Sequence, residues 1–237
     1  MRKVKDFYYK KAKQDKYPAR SIYKLEEAQK KYHFLRRGDS VLDLGCCPGS
    51  WSLYASEIVG ETGMVVGVDL QETSLASRPG GAPIHWITAD IMVPELVLQL
   101  RKIRPAFKNL ISDLAPKTTG NRWADHQQSL NLARQTLILA ETLLHEKGNF
   151  FCKAFQGEDF PAFVQEVQAR FEQVKVIKPK SSRTESREVF VLGLGFKKSK
   201  IEKVVSGEAG EESVTISVEI YGASHLKSFF SPLTTHH

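Results

Sequence analysis

The feature that most constrains the fold is a repeated switch between short β-branched or aromatic runs and longer amphipathic stretches. Such alternation is typical of βαβ units, in which a mostly parallel sheet lies between layers of helices. We therefore predict an α/β fold of the doubly wound, Rossmann-like kind with a mostly parallel seven-stranded sheet. The predicted strands are 40–44, 64–69, 84–88, 109–114, 149–153, 174–177 and 188–194.

Two of the intervening stretches have clear helical periodicity. One spans about 20–32, ahead of the first strand, and the other spans 126–146, where Gly148 follows the last apolar position. Only the short connection 178–187 separates the sixth strand from the seventh. Because a parallel crossover needs a dozen or more residues, this connection predicts an antiparallel last strand, in a hairpin that closes one edge of the sheet.

Composition divides the chain into three predicted parts. Residues 1–37 form a basic N-terminal leader with a helix, and residues 38–197 hold the predicted sheet and its helices. Residues 198–237 are rich in Lys, Glu, Ser and Gly, and we interpret them as an appendage. Within it, 201–205 and 214–221 have the alternation of a β-hairpin, whereas the end of the chain is predicted to fray.

Charge is concentrated at the N-terminus. Residues 1–37 carry thirteen Lys or Arg and four Asp or Glu, a local charge of +9, whereas the whole chain has a charge of +7. A basic segment with interleaved aromatic rings suits the phosphates and bases of RNA, although a solvated basic helix would have the same composition. The rings in this leader that could stack on bases belong to Tyr8, Tyr9, Tyr17 and Tyr23.

The composition argues against several other classes of protein. No apolar run approaches the length of about eighteen residues that a membrane span needs, and the basic start of the chain lacks the apolar region of a secretory signal. We therefore expect a cytoplasmic protein. Cys46, Cys47 and Cys152 have neither CxxC spacing nor a pairing pattern, so we predict no metal site.

A glycine-containing turn follows the first predicted strand. The segment 43–49 reads Asp-Leu-Gly-Cys-Cys-Pro-Gly, and a helix is predicted to begin directly after it. Gly45 and Gly49 allow a ligand to approach the backbone without a Cβ in the way. The GxxxG spacing differs from the GxGxxG of dinucleotide binders. We therefore predict a methionine-derived zwitterion as the ligand, with Asp43 as the acid that binds its ammonium.

Two further acidic residues stand at the ends of later strands. Asp69 ends the second strand, where a carboxylate typically accepts hydrogen bonds from ribose hydroxyls, and Asp90 follows the third strand, where it could bond the amino group of adenine. Each aspartate alone is more often a turn or cap residue. Together with Asp43, on successive strands, they predict a nucleoside cofactor.

Five segments, in order, resemble the FtsJ-like family of bacterial heat-shock 23S ribosomal RNA 2′-O-ribose (uridine) methyltransferases and their eukaryotic transfer RNA and mitochondrial relatives. The resemblance covers about residues 5–196 and implies the class I methyltransferase form of the Rossmann-like fold. The segments that carry the resemblance are 19–25, 43–51 (Asp-Leu-Gly-x-x-Pro-Gly-x-Trp), 112–116, 151–157 and 186–189.

The resemblance also implies a cofactor and a set of site residues. The implied cofactor is S-adenosyl-L-methionine, and departures from the family pattern are small: Cys46 and Cys47 replace common alanines, and Ser50 replaces a frequent glycine. The family's Lys-Asp-Lys-Glu tetrad falls on Lys24, Asp113, Lys153 and Glu188. The cofactor contacts implied by the family fall on Gly49, Trp51, Asp69, Asp90 and Asp113, to which the turn pattern adds Asp43 and Gly45.

The implied reaction is methyl transfer to a ribose 2′-hydroxyl. Lys153 would hold the 2′-oxygen, either accepting its proton or stabilising the developing negative charge, and Asp113 would orient Lys153. The expected substrate is a uridine of 23S ribosomal RNA in the 50S subunit, and the enzyme is expected to be a monomer. The alternatives are a transfer RNA anticodon loop as the substrate, or a non-catalytic RNA-binding role in ribosome assembly; the intact tetrad argues against the second.

Overall fold

The computed structural model describes residues 2–182 and 185–198, so the predicted appendage 198–237 lies outside the described residues except for its first residue. No helix in these two ranges is long and apolar enough to span a membrane. The helices are α1 (Arg2–Gln14), α2 (Ile22–Tyr32), α3 (Ser50–Val59), α4 (Glu95–Ile103), α5 (Arg122–Leu143) and α6 (Phe160–Arg170). The strands are β1 (Ser40–Leu44), β2 (Met64–Asp69), β3 (Ile84–Thr88), β4 (Phe107–Ser112), β5 (Leu144–Phe155), β6 (Phe171–Ile177) and β7 (Glu188–Phe196).

The strands form a seven-stranded sheet in the order β3-β2-β1-β4-β5-β7-β6. The first five strands in this order pair in parallel, whereas β7 is antiparallel to both of its neighbours, β5 and β6. This confirms the predicted doubly wound, mostly parallel sheet with an antiparallel last strand. The first three strands also begin and end at the predicted residues, because each is a short apolar run between turn residues.

Two hydrophobic cores cover the two faces of the sheet. Phe150 and Phe151 are successive residues of β5 and both are fully buried, but they belong to different cores because side chains alternate across a strand. Helices α4, α5 and α6 pack on the Phe150 side, and α2 and α3 pack on the Phe151 side. All five residues of β1 are buried as a result, as expected for a parallel strand between two helical layers.

Helix α5 begins four residues before the predicted start at 126. The side-chain oxygen of Asn121 accepts hydrogen bonds from the backbone N–H groups of Trp123 and Ala124, at 3.0 and 3.1 Å. This cap satisfies donors that the first turn of a helix would otherwise leave unpaired. The helix therefore starts at Arg122, where the apolar periodicity alone had indicated no helix.

The boundary between α5 and β5 lies earlier in the chain than predicted. Leu144 pairs with Phe107 of β4, so the helix ends at Leu143 and does not continue to the predicted 146. Apolar spacing cannot distinguish the two states here, because a buried leucine suits the end of a helix as well as the start of a strand. Pairing with a distant strand decides the boundary.

The order of the strands reverses between β1 and β4. The chain leaves β1 for α3 on one face of the sheet and leaves β4 for α5 on the other face, which opens a crevice at the carboxyl ends of these two strands. Strand β4 ends at Ser112, two residues earlier than predicted, so Asp113 lies just beyond the strand at this crevice. The turn that starts at Gly45 borders the same crevice.

Candidate active site

Asp113 and Lys153 lie side by side on adjacent strands. Ser112 pairs with Cys152 in the β4–β5 ladder, so the residues that follow each of them are neighbours at the crevice. The ammonium of Lys153 donates to the Asp113 carboxylate (Nζ to Oδ1, 2.9 Å) and also to the Asp113 backbone carbonyl. The Lys153 side chain is only 5% exposed, so water screens this ion pair weakly.

Lys24 and Glu188 reach the same place from opposite ends of the sequence. Lys24 lies in the first turn of α2, and its ammonium is 2.8 Å from Glu188 Oε2 and 3.6 Å from Asp113 Oδ1. Glu188 begins β7 and pairs with Phe155, two residues beyond Lys153 in β5. The Asp113 carboxylate is therefore shared by two ammonium groups. The structure brings all four residues of the predicted tetrad together.

The alternating charges of the tetrad set the ionisation of its members. Burial by itself would raise the pKa of Asp113, but the ammonium groups of Lys153 and Lys24 outweigh burial and hold that pKa below its ordinary value. Burial by itself would lower the pKa of Lys24, but the carboxylates of Asp113 and Glu188 outweigh burial and raise it. At neutral pH, Lys24 is therefore an ammonium and Asp113 is a carboxylate.

The tetrad borders an open cleft of about 370 Å³. Arg20 and Lys24 line this cleft from the N-terminal side, and Glu188 lines it from the start of β7. The other lining residues belong to the β6–β7 connection and are Ser182, Glu185 and Ser186. A polar, open cleft of this size can admit a nucleotide.

Glu188 is held by contacts that the sequence pattern did not indicate. The Ser182 hydroxyl donates to Glu188 Oε1 (2.8 Å), so one carboxylate oxygen bonds Ser182 and the other bonds Lys24. The segment around Ser182 is itself docked, because the Arg20 guanidinium donates to the Ser181 carbonyl (3.3 Å). A serine in a connection is usually a turn residue, so the sequence carries no signal for this role.

The turn after β1 depends on two glycines with left-handed backbone conformations. Gly45 and Gly49 have left-handed φ values of +80° and +101°, which residues with a side chain rarely adopt. A Cβ at Gly45 would lie 2.7 Å from the Leu114 side chain, and a Cβ at Gly49 would lie 2.6 Å from the Leu75 side chain. Both positions therefore favour glycine.

Asp43 is fully buried at the base of this turn. Its Oδ2 accepts a hydrogen bond from the Ser52 hydroxyl (2.6 Å), whereas its Oδ1 has no hydrogen-bond partner in the described part of the chain. Burial raises the pKa of Asp43 to about 7, and the Asp113 and Asp69 carboxylates add to the increase. A buried carboxylate with a free oxygen fits an ammonium group, the ligand group expected at this position.

Asp69 and Asp90 follow the neighbouring strands β2 and β3. Asp69 accepts from the backbone N–H groups of Cys47 and Gln71, both at 2.9 Å, and so ties the end of β2 to the glycine turn. Asp90 accepts from the backbone N–H of Met92 at 2.9 Å. Both aspartates are half-buried, and a carboxylate has about four acceptor positions, so each can still bind a hydroxyl or amino group.

Two exposed apolar side chains beside these aspartates were not among the predicted site residues. Leu70, next to Asp69, is 70% exposed, and Met92, two residues after Asp90, is 56% exposed. Apolar side chains next to a few well-placed polar groups are typical of a site for a flat aromatic base. The sequence carried one signal for them: at each of the two strand ends, an apolar residue follows the aspartate within two positions.

The side chain of Trp51, predicted as a cofactor contact, lies in the core. Trp51 is 3% exposed, and its ring stacks on Phe151 with 5.6 Å between the ring centroids. Its indole N–H donates to the Ser21 carbonyl (2.9 Å), which fastens α3 to the start of α2. Any contact between Trp51 and a cofactor would therefore come from its backbone.

Comparisons with known proteins point to one family. The model of the FtsJ-like methyltransferases matches residues 17–196. The ribosomal RNA large subunit methyltransferase E of Desulfotalea psychrophila is 65% identical over 198 residues, which cover 84% of this chain and 98% of that protein. The protein of the same name from Oleidesulfovibrio alaskensis is 44% identical over 199 residues, which cover 83% and 94%. A crystal structure from Plasmodium falciparum, described as that of a ribosomal RNA methyltransferase, is 25% identical with a TM-score of 0.67, and the match covers 76% of this chain and 98% of that one.

Proposed function

The chain belongs to the FtsJ-like methyltransferase family, and on that premise we propose that it transfers a methyl group from S-adenosyl-L-methionine to a ribose 2′-hydroxyl of large-subunit ribosomal RNA. The observation that carries the proposal is the tetrad. Two lysines and two acids from four distant parts of the chain meet at the crevice that holds the glycine turn. Two relatives named as methyltransferases of large-subunit ribosomal RNA support this choice of substrate.

The cofactor would bind along the carboxyl ends of β1, β2 and β3. S-adenosyl-L-methionine supplies a methyl group that its sulfonium already activates toward an attacking oxygen. Asp43 would bind its ammonium, and the cradle formed by Gly45 and Gly49 would take its methionine portion. Asp69 would bind the ribose hydroxyls, and Asp90 would bind the adenine amino group. The unpartnered, buried Oδ1 of Asp43 supports this fit.

Lys153 is the residue that holds the 2′-oxygen in this proposal. An ammonium has three N–H donors. Within the described residues, Lys153 uses two of them, one for the carboxylate and one for the backbone carbonyl of Asp113. One donor therefore remains for the 2′-oxygen. A positive charge there stabilises the negative charge that develops on the 2′-oxygen as its proton passes to solvent water, and a fixed donor also aligns the oxygen for methyl transfer.

Lys24 and Glu188 act through the other two members of the tetrad in this proposal. Two ammonium groups and two carboxylates balance, and paired charges can be buried at a lower cost than an unpaired one. Lys24 lies 3.6 Å from Oδ1 of Asp113, the oxygen that Lys153 also bonds, and Glu188 holds Lys24 in place. These contacts keep the Asp113 carboxylate in the position from which it orients the Lys153 ammonium.

The N-terminal leader supports an RNA substrate. In α1, Lys10 and Lys13 are exposed, and the Tyr9 ring is 63% exposed. Arg20, just before α2, lines the cleft beside Lys24 and so extends the positive surface to the tetrad. Lysines and arginines along such a path would bind the phosphate backbone, and binding should therefore weaken steeply as salt increases.

Transfer of a radiolabelled methyl group tests the proposed function. The full chain is incubated with labelled S-adenosyl-L-methionine and, separately, with 50S subunits, naked 23S ribosomal RNA and transfer RNA. We expect label in the large-subunit RNA. After nuclease digestion, the label should remain in a resistant dinucleotide, because a 2′-O-methyl group blocks cleavage at the next phosphate. Label in transfer RNA alone, or in a digestible mononucleotide, would contradict the proposal.

A further inference from the structure

Trp123 is an exposed tryptophan that the proposed reaction does not use. It lies in the first turn of α5 and is 69% exposed, although tryptophan is a residue type that is highly buried on average. Arg122, the residue before it, is also exposed. By contrast, Trp51 is buried and Trp86 is half-buried, and both have their indole N–H bonded to a backbone carbonyl. The Trp123 ring therefore needs its own explanation.

A chain of contacts connects the start of α5, where Trp123 lies, with the tetrad. Arg187, the residue before Glu188, donates from its guanidinium to the Arg122 backbone carbonyl at 2.7 Å. The same guanidinium lies over the ring of Phe155, 5.9 Å from its centroid, and Phe155 pairs with Glu188 in the β5–β7 ladder. The α5 patch, which we define as Arg122, Trp123, Phe155 and Arg187, is thus continuous with Glu188.

The start of α5 is held firmly, so the exposed ring stands on an ordered support. Asn121 caps the helix through the backbone N–H groups of Trp123 and Ala124. The buried carboxylate of Asp125 accepts from both the backbone N–H (2.7 Å) and the hydroxyl (3.0 Å) of Thr119, which ties the preceding loop to the helix. A ring presented by an ordered element loses little conformational entropy when it binds a partner.

We infer that the α5 patch stacks an unpaired RNA base next to the target nucleotide, while Arg122 and Arg187 contact the adjoining phosphates. This inference rests on the proposed function, and it names the part of the substrate that this surface recognises. Proteins bind single-stranded RNA by stacking its bases on aromatic rings and by placing guanidinium groups against its backbone. Hydrogen bonds from Thr119 and Gly120, together with the positive charge of Arg187, hold the pKa of the nearby Asp125 below its ordinary value, so this carboxylate offsets part of the charge of the patch.

Binding of short RNA to the full chain tests the inference without relying on methyl transfer. A single-stranded oligouridylate is titrated into the protein, and tryptophan fluorescence reports stacking on an exposed indole. We expect strong quenching by this RNA and weak quenching by an abasic RNA of the same length, which keeps the phosphates. Trp123→Ala should lose the quenching and weaken oligouridylate binding on the order of tenfold, measured by competition against a labelled RNA.

Two further variants separate stacking from a general surface effect. Trp123→Phe should keep most of the affinity, because a phenyl ring also stacks, and Leu98→Ala should bind like the wild type. Leu98 is a suitable control because it is 63% exposed in α4 and does not belong to the patch. Equal binding by the wild type and Trp123→Ala would overturn the inference. An equal loss for base-bearing and abasic RNA would also overturn it.

Other partners would give different results. If Trp123→Ala abolished a concentration-dependent self-association of the protein and left RNA binding unchanged, the patch would belong to a second copy of the chain, and the inference would be wrong. A wild type that shows base-dependent quenching but methylates no RNA would contradict the proposed function alone. The stacking role of Trp123 would stand in that case.

Discussion

Lys153 donates to the side chain and to the backbone carbonyl of Asp113, so these two residues of neighbouring strands form one unit. The carbonyl belongs to the backbone just beyond β4, and its position is set by the pairing of β4 with β1 and β5. The sheet therefore fixes the direction of the ammonium, and rotation of the Asp113 side chain alone cannot change it. Such rigid support is what alignment of a reacting oxygen requires.

Replacing Lys153 removes the group that we expect to hold the 2′-oxygen. Lys153→Ala should lower turnover by about 10² to 10⁴, the usual contribution of a proton-transfer or charge-stabilising group. Affinity for S-adenosyl-L-methionine should change little, because the cofactor contacts proposed above do not include Lys153. Single-turnover methyl transfer and calorimetric cofactor binding measure the two effects. If the variant keeps more than about a tenth of the wild-type rate, Lys153 does not have the central catalytic role proposed for it.

Removing the hydroxyl of Ser182 should impair the tetrad indirectly. Ser182→Ala frees Glu188 Oε1, so we expect turnover to fall on the order of tenfold at unchanged cofactor affinity, since one hydrogen bond to a charged group contributes about 1.5–3 kcal/mol. Ser182→Thr keeps a hydroxyl and should restore most of the rate. Ser181→Ala is a matched control, because the buried Ser181 hydroxyl has no partner among the described residues. Equal rates for Ser182→Ala and Ser181→Ala would exclude this positioning role.

The buried carboxyl of Asp43 should make stability depend on pH in a defined direction. Its pKa is about 7 in the folded protein and 3.8 ordinarily, so the folded state binds more protons than the unfolded state between these values. The free energy of unfolding of the ligand-free protein should therefore fall as pH rises from about 4 to about 7. In Asp43→Asn this contribution disappears, so the free energy of unfolding of the variant relative to that of the wild type should rise by roughly 2–3 kcal/mol between pH 5 and pH 7.5.

Denaturant titrations of both proteins at pH 5 and pH 7.5 test this prediction. Titration of the other groups contributes equally to both proteins, so it cancels in the difference between their free energies of unfolding. Stability curves that run parallel across this range would show that Asp43 does not titrate as expected.

The cradle should reject a methyl group at Gly45 for two reasons. Gly45→Ala meets a left-handed φ, which costs roughly 1–2 kcal/mol, and its Cβ would also lie 2.7 Å from the Leu114 side chain. Gly80→Ala meets a similar φ of +79° with no atom within 4 Å, so it isolates the first cost. We expect Gly45→Ala to be less stable than Gly80→Ala by about 1–3 kcal/mol, the usual cost of overpacking. Thermal unfolding compares the two variants, and equal losses would contradict the steric argument.

Cofactor binding should separate the same two glycine variants. Gly45→Ala should weaken binding of S-adenosyl-L-methionine, because the turn must shift to accommodate the new Cβ. Gly80→Ala lies outside the proposed cofactor contacts and should bind like the wild type. Calorimetric titration of the folded variants measures both affinities.

Local patterns were enough to predict the sheet and the glycine turn. The bounds of β1, β2 and β3 follow from short apolar runs, and the motif at 43–49 places two glycines in the turn directly after β1. The predicted end of α5 was wrong because Leu144 suits a helix and a strand equally well, and its partner Phe107 is distant in sequence. Apolar periodicity depends only on residues that are close in sequence, whereas strand pairing joins residues that are distant in sequence.

The amino-acid sequence by itself determined the fold class, the glycine turn and, through its resemblance to a family, the four candidate tetrad residues, because each of these depends on local spacing or on short motifs. Only the tertiary structure decided which side chains meet. It placed the Ser182 hydroxyl on Oε1 of Glu188, buried the side chain of Trp51 in the core and left that of Trp123 exposed, next to the residue whose carbonyl bonds Arg187. These outcomes depend on strand order and on the docking of connections, which bring together residues that no local pattern relates.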